Sequence, residues 1–514
     1  MQVLVSTKHK MLGAPMTTQL QNLFPHARRI PDTELLAIPH EFAATKMLRN
    51  LGFEVPAPVL TQYDWAGGKP FEVQKKTVAM LTTERRAYVL SGFGTGKTKA
   101  ALWAFDALRQ QGHAQRMLVV APLSTLTFVW AREVLATVPH LKVAILHGAR
   151  DDRLDRLKDG EADIYVVNHD GLKIIAGHLP ARRDINVLCI DELAVYRNWN
   201  KRTKLMKAMA ARFDWAWGLT GSPTPNAPTD VWGQAMILTP DRVNSRWTHY
   251  RDELMLKVGN GFKYVPKKDA TENAFKALQP SVRFTLDEVT ELPDMVERTV
   301  QVGLGPKQGK AYEDLRKHTR ALVATHEINA ANAGVVLMKL LQVSSGWVYK
   351  SDKSVVELDG GLRLQALEDL IASTDRKVIV FAPFKHTLHG IHKHLEAAKY
   401  DVAPYIDGDV TQSERNRIFS AFQNTPTYKV LPAHPGTMSH GLTLTTADTI
   451  IWYAPISSNE TFEQANARIR RVGQRHRQQI LMLQATPVEK RVYDILQNKQ
   501  DLQDKLLELF EGNS

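Results

Sequence analysis

At 514 residues, with 44% hydrophobic content and a formal net charge of +12, the chain can bury large cores in roughly two to four domains. Its longest apolar runs fall short of a membrane span, and the start, MQVLVSTKHKMLG, lacks the apolar core of a secretory signal, so a cytoplasmic protein with no membrane partner is expected. The single cysteine, Cys189, excludes an intramolecular disulfide and a cysteine-rich zinc site, while the positive charge favours a polyanionic partner without identifying one.

In chain order, residues 1–65 read as an accessory segment. ELLAIPHEFAATKMLRNLGFEVPAPVL offers one helix that stops at Gly52 before a proline-broken loop. The helical stretch in GKPFEVQKKTVAML leads to RAYVL, a β-prone run, and KAALWAFDALRQQG has helical apolar spacing ending on Gly112. Between strand and helix lies SGFGTGKT, residues 91–98. Further on, INVLCIDEL sets the apolar run Val187–Ile190 before Asp191 and Glu192, as a buried strand ending in two carboxylates. Residues 241–300, rich in Lys, Asp and Gly, read as an exposed linking segment. KVIVFAPFKHTLHGIHKHL reads as a strand and a helix, and NETFEQANARIRRVGQRH as a helix with Arg468 and Arg471 on nearly one face.

The 91–98 loop has the chemistry of a phosphate cradle. Gly92, Gly94 and Gly96 let the backbone, Phe93 and Thr95 included, turn its N–H groups inward, and the following helix adds its N-terminal partial charge. Lys97 would reach the β- and γ-phosphates of ATP, and Thr98 would ligate Mg²⁺. Asp191 would hold the same Mg²⁺ and Glu192 would orient or deprotonate the attacking water. An Asp-Glu pair alone is common on solvated surfaces; the apolar run in front of this one argues for a strand end. The first loop position is Ser91, where the general pattern has glycine.

Serine in that position, followed by an Asp-Glu strand end, resembles the ATPases of helicase superfamily two, and the remaining segments resemble their Swi/Snf-type branch. MLVVAPLSTLTFVWAREV, DIYVVNHDGL and GLTGSPTPNAPTDVWGQAMIL are similar to that branch's first-lobe motifs. VRFTLDEVTELPDMVERTVQVGLGPKQGKAY, YIDGDVTQSERNRIFSAFQ and the Gln464-Ala-x-x-Arg468-x-x-Arg471-x-Gly473-Gln474 segment are similar to its second half. The resemblance covers about residues 70–510 and points to a compact bacterial or bacteriophage member, acting in the host cytoplasm in the latter case. It implies an α/β fold of two RecA-like lobes, each a mostly parallel sheet flanked by helices, with ATP in the cleft between them. The lobes are expected over 66–240 and 301–514. Arg468 and Arg471 would be arginine fingers, and Gln74 would read adenine with its side-chain amide. Strand contacts carried over by resemblance are Ser124, Asn168, Thr220, Arg415, Ser439 and Thr443.

The resemblance implies a monomeric, DNA-dependent ATPase that moves along duplex DNA with little sequence preference and remodels what is bound there. Replication or recombination proteins are candidate partners. A strand-separating or strand-annealing helicase shares every ATPase motif, and a nucleic-acid-binding scaffold with a decayed motor is the third reading. The intact Lys97, Asp191, Glu192, Arg468 and Arg471 argue against decay. Two departures bear on mechanism. Ala194 stands where the family's Asp-Glu-x-His segment has histidine, which removes the expected link from the hydrolytic carboxylate to the Thr220-Gly-Ser turn. In PGTMSHGLTLTTADTIIWYAP only Gly441 remains of the usual closely spaced glycines.

Overall fold

A computed structural model describes residues 3–225, 227–258, 263–289, 292–324, 330–350, 352, 354–438 and 443–498. The chain divides into two units, Met1–Val289 and Thr290–Ser514. The first begins with β1 (Leu4–Ser6), β2 (Met11–Pro15), β3 (Arg28–Arg29) and β4 (Leu35–Pro39), paired antiparallel in the order β1-β2-β4-β3. Leu12, Ala14, Leu36 and Ile38 form a small core with Leu20 of the helix Thr18–Leu23 and with Ala44 and Leu48 of the helix Phe42–Asn50. The sequence predicts only the second of these helices. The strands are two to five residues long, too short for their alternation to stand out. The module docks through Phe42, whose ring lies edge-on to Trp215 with centroids 5.2 Å apart.

The main sheet of this unit uses β5 (Arg86–Val89), β6 (Arg116–Ala121), β7 (Val143–Leu146), β8 (Ile164–Asn168), β9 (Ile185–Asp191) and β10 (Trp215–Leu219). Their residues are largely buried on both faces, as the continuous apolar runs require of a parallel sheet with helices on each side. Residues 241–289, read from composition as part of a link, instead belong to this unit. They form the hairpin β11 (Met255–Val258) and β12 (Lys263–Pro266), the helix Ala270–Ala277 and the strand β13 (Ser281–Val282). Ala270, Ala274, Ala277 and Leu278 join the sheet core, an apolar face that the surrounding Lys and Asp residues mask in composition. With β13 added, seven strands run parallel in the order β13-β5-β10-β9-β6-β8-β7.

The second unit is built on β14 (Met295–Gln301), the hairpin β15 (Trp347–Tyr349) and β16 (Val355–Glu357), and β17 (Lys377–Phe381), β18 (Val430–Ala433), β19 (Ala447–Trp452) and β20 (Gln478–Gln484). Its main sheet is parallel in the order β14-β20-β19-β17-β18. A buried ion pair ties a helix to this core: Arg363 Nη2 lies 2.7 Å from Glu489 Oε1, with side chains 1% and 0% exposed. Glu489 also accepts from the Ser344 hydroxyl and from the Ala485 and Thr486 N–H groups. No described helix is long and apolar enough to cross a membrane.

Candidate functional site

Parallel pairing brings the chemistry of the first unit to one edge. In register, Val89 of β5 lies beside Leu219 of β10, and Leu219 beside Asp191 of β9. Each strand therefore releases its next residues at the carboxyl edge of the sheet: Ser91–Thr98 after β5, Thr220 after β10, Glu192 after β9. Ala121 of β6 is level with Asn168 of β8, which adds the turns carrying Ser124 and Asn168 to that edge. Ligand sites of open parallel sheets form there.

The loop closes on itself as the glycine spacing requires. Gly94 and Gly96 have φ of 77° and 79°, left-handed values that strain other residues. A Cβ on Gly96 would also collide with the side-chain amide of Gln74. Lys97 opens the helix Lys97–Gln110, and its ammonium donates to the Ser91 and Gly92 carbonyls at 2.8 and 2.9 Å. The Thr95 hydroxyl donates to Gly92 O, and Thr98 follows in the first helical turn. Phe93 sits between two motifs: Lys97 Nζ is 5.4 Å from its ring centroid, and the Cβ position of Gly221 is 3.1 Å from its ring carbons.

The serine at the head of the loop has a structural task. Ser91 is buried, and its hydroxyl accepts the Phe284 N–H at 3.1 Å while the Gly92 N–H donates to Phe284 O at 2.8 Å. These bonds extend the ladder begun by Tyr88 N–H to Pro280 O and Leu90 N–H to Val282 O. The β13 pairing thus runs directly into the phosphate-binding loop. Phe284 was not singled out from sequence, since its partner is 193 residues away.

Asp191 accepts from the Trp130 indole N–H at 2.9 Å and from the Glu192 backbone N–H at 3.1 Å. Burial pushes its carboxyl above the ordinary range, and the Trp130 bond and the Lys97 charge pull it partly back. Glu192 has φ 54°, unusual for a side chain with a Cβ, and its Oε1 accepts the Thr220 hydroxyl at 3.1 Å. Thr220 Oγ1 in turn accepts the Ser222 N–H at 3.3 Å. Ala194 is buried two residues on. Glu192 and Thr220 are thus in direct contact in a chain without histidine at position 194.

The other residues singled out from sequence have the following surroundings. Thr220 is fully buried, so the hydroxyl read as a strand contact is a partner of Glu192. Gln74 is buried under the loop; its Oε1 accepts the Phe71 N–H at 2.9 Å, a helix-start bond that competes with adenine reading. Asn168 Oδ1 accepts from Arg153, and Arg415 donates to the Val410 and Gly408 carbonyls. Ser439 lies outside the described residues. Arg468 and Arg471 do not share a helix, because the helix Asn459–Asn466 ends before them. Arg468 Nε takes the Gln464 carbonyl, and the Arg468 carbonyl accepts from Leu444 N–H, which diverts groups that would continue the helix. Arg468 is buried; Arg471 donates to Ala467 O and to the exposed Thr443 hydroxyl, and burial lowers its guanidinium to about 10, still a cation at neutral pH.

This donor set fits a nucleotide with magnesium. Left-handed glycines and a helix N-terminus suit phosphate oxygens, while a threonine hydroxyl and an aspartate at the same edge are hard oxygen ligands. Comparisons with known proteins give matches over most of the chain. The SNF2-related domain matches residues 74–346 and the helicase conserved C-terminal domain matches residues 362–473. Protein p41 of Acyrthosiphon pisum secondary endosymbiont phage 1 is 26% identical over 428 residues, 79% of this chain and 88% of that protein. An uncharacterized ATP-dependent helicase of Mycoplasma genitalium is 24% identical over 422 residues, 80% of this chain but 39% of the relative. The solved Sulfolobus solfataricus SWI2/SNF2 ATPase core in complex with dsDNA aligns at 21% identity over 87% of this chain and 96% of its own, with a TM-score of 0.40.

Proposed function

This chain belongs to the SNF2-related family and is an ATP hydrolase, and on that premise we propose that its turnover depends on duplex DNA and drives movement along it. The observation that carries the proposal is the junction of Lys97, Asp191, Glu192 and Thr220 at one sheet edge. Lys97 neutralises the β- and γ-phosphates, and Glu192 orients or deprotonates the attacking water. Thr98 and Asp191 would hold magnesium, which would supply charge neutralisation at the phosphates. Arg468 and Arg471, in the second unit, act as arginine fingers on the transferring phosphoryl group.

The Thr220 contact gives the hydrolytic carboxylate a mechanical partner. Any movement of the Thr220-Gly-Ser turn alters the orientation of Glu192, and DNA bound near that turn thereby reaches the water-activating group. With a net charge of +12, the protein binds phosphates without sequence reading, and the coupling to turnover comes from the turn.

The test is steady-state ATP hydrolysis with blunt duplex, single-stranded or no DNA, alongside displacement of a third strand from a triplex. Duplex is expected to raise turnover at least ~10-fold, a differential interaction of about 1.4 kcal/mol or more. Triplex displacement is expected to need ATP and to vanish in Lys97→Ala, without unwinding of a forked duplex. Unstimulated hydrolysis with no triplex displacement would remove the translocation reading; strong fork unwinding would replace it with strand separation.

A further inference from the structure

Away from the nucleotide loop, three indoles pack in a row on the first unit. Trp199 and Trp232 have ring centroids 5.0 Å apart, Trp232 and Trp247 5.5 Å apart, each pair edge-on. The middle ring is buried and pinned by a 2.7 Å bond from its N–H to the Asn244 carbonyl. The outer rings are 37% and 39% exposed. Packing of the helices Lys201–Ala210, Val231–Leu238 and Trp247–Leu254 needs the middle ring, but does not account for two large apolar rings left in water beside it.

The surroundings are cationic. Residues 197–207 contain Arg197, Lys201, Arg202, Lys204 and Lys207 and no acid, and residues 242–249 contain Arg242 and Arg246 and no acid. Lys207 Nζ stands 5.7 Å from the Trp199 ring centroid. Of the neighbouring carboxylates, Asp170 is neutralised by Arg202 at 2.5 Å and Asp252 by Arg251 at 2.8 Å, Glu253 accepts from the Asn244 side-chain amide at 3.4 Å, and Asp241 precedes the second cationic stretch. The Arg202–Asp170 contact ties the helix Lys201–Ala210 to the turn after β8, two residues beyond Asn168.

We infer that Trp199 and Trp247, with the cations around them, form a contact site for single-stranded DNA, in which an unpaired base packs on exposed indole and its phosphates meet the lysines and arginines. Exposed aromatics interleaved with cations suit single strands because a base offers its face only when unstacked, whereas a duplex offers phosphates and groove edges. The inference takes the identity of the polymer from the DNA-acting reading above and adds unpaired nucleotides, in a gap or tail beside a duplex, to what the protein holds.

The test is fluorescence anisotropy with a labelled oligothymidylate and, separately, a labelled blunt duplex. Trp199→Ala combined with Trp247→Ala is expected to weaken oligothymidylate binding at least about tenfold and to change duplex binding by less than about twofold. Trp199→Phe with Trp247→Phe keeps an aromatic ring at each position and is expected to retain most of the single-strand affinity. Lys204→Glu, an exposed change that leaves the packing intact, is expected to weaken binding with no shift in thermal unfolding. Undiminished single-strand affinity in the alanine pair overturns the inference and leaves the row as packing or a protein-docking face; equal losses on both DNAs also overturn it. Duplex-stimulated hydrolysis without oligothymidylate binding in the native protein overturns this inference alone. Indole-dependent oligothymidylate binding without duplex-stimulated hydrolysis overturns the functional reading alone.

Discussion

The Thr220 hydroxyl donates to Glu192 Oε1 at 3.1 Å, in a chain that has alanine at position 194. One hydrogen bond thus connects the carboxylate assigned to water with the turn after β10. The bond is buried on the threonine side, and the same hydroxyl accepts the Ser222 N–H at 3.3 Å, so removing it takes a donor from Glu192 and an acceptor from the turn. Thr220→Val keeps the shape and deletes the donor. It is expected to lower kcat about tenfold, or ~1.4 kcal/mol, just under the usual range for a hydrogen bond to a charged group, and to reduce stimulation by duplex DNA while leaving the KM for ATP nearly unchanged. Wild-type stimulation in this variant would show that the contact carries no coupling.

Trp130→Phe probes the electrostatics of Asp191. Burial raises this carboxyl and the Trp130 N–H lowers it, so the phenylalanine variant raises it further. The proposed magnesium role of Asp191 needs the carboxylate; the acid limb of kcat/KM for ATP is therefore expected to move to higher pH, with rates converging on the alkaline side. Stability has the opposite sign. A folded-state pKa above that of an exposed aspartate means the folded chain holds this proton more tightly, so the contribution is present at low pH and is lost as pH rises through the raised value. An unshifted acid limb would dissociate Asp191 from the magnesium role.

Arg471→Ala tests the finger assignment. The loss in kcat is expected to be at least ~10²-fold, below the usual finger range because Arg468 can cover part of the charge, with nucleotide affinity much less changed. Single-turnover hydrolysis and nucleotide titration separate the two. Equal losses in rate and affinity would make Arg471 a ground-state phosphate ligand.

Arg363→Met strands the Glu489 carboxylate in the second unit without its countercharge. The expected cost is about 3–5 kcal/mol, read from the denaturant midpoint of that unit. Adding Glu489→Gln removes the charge but preserves most of the hydrogen bonds to Ser344, Ala485 and Thr486, and is expected to recover much of the loss. Failure of the second change to recover stability would assign the effect to packing of the arginine stem.

What could be read from sequence was local chemistry at strand ends. Lys97 and Asp191 were legible because an apolar run followed by glycines or carboxylates announces a buried strand and its exit, and parallel pairing brings such exits to one edge. Contacts set by register were hidden. The Glu192–Thr220 and Ser91–Phe284 bonds span 28 and 193 residues, and neither follows from a periodicity. Helical spacing around Arg468 misled for a different reason: side-chain and long-range donors take carbonyls that an isolated helix would use itself. Composition misled over 241–289, where a few alanines and a leucine on one helical face outweigh many surface charges.

The pairing of β13 with β5, continued through Phe284, fixes where the first unit can be cut. A fragment ended near residue 240, where the apolar helix Val231–Leu238 stops, would keep the β10 side of β5 but lose β13, leaving the strand that leads into the phosphate loop as a bare sheet edge. Such an edge templates pairing with other chains. The fragment would also shed Ala270, Ala274 and Leu278 from its core. A fragment that keeps this pairing and core extends through Val289, and the shorter piece is an aggregation hazard whose failure to bind ATP would say nothing about Lys97.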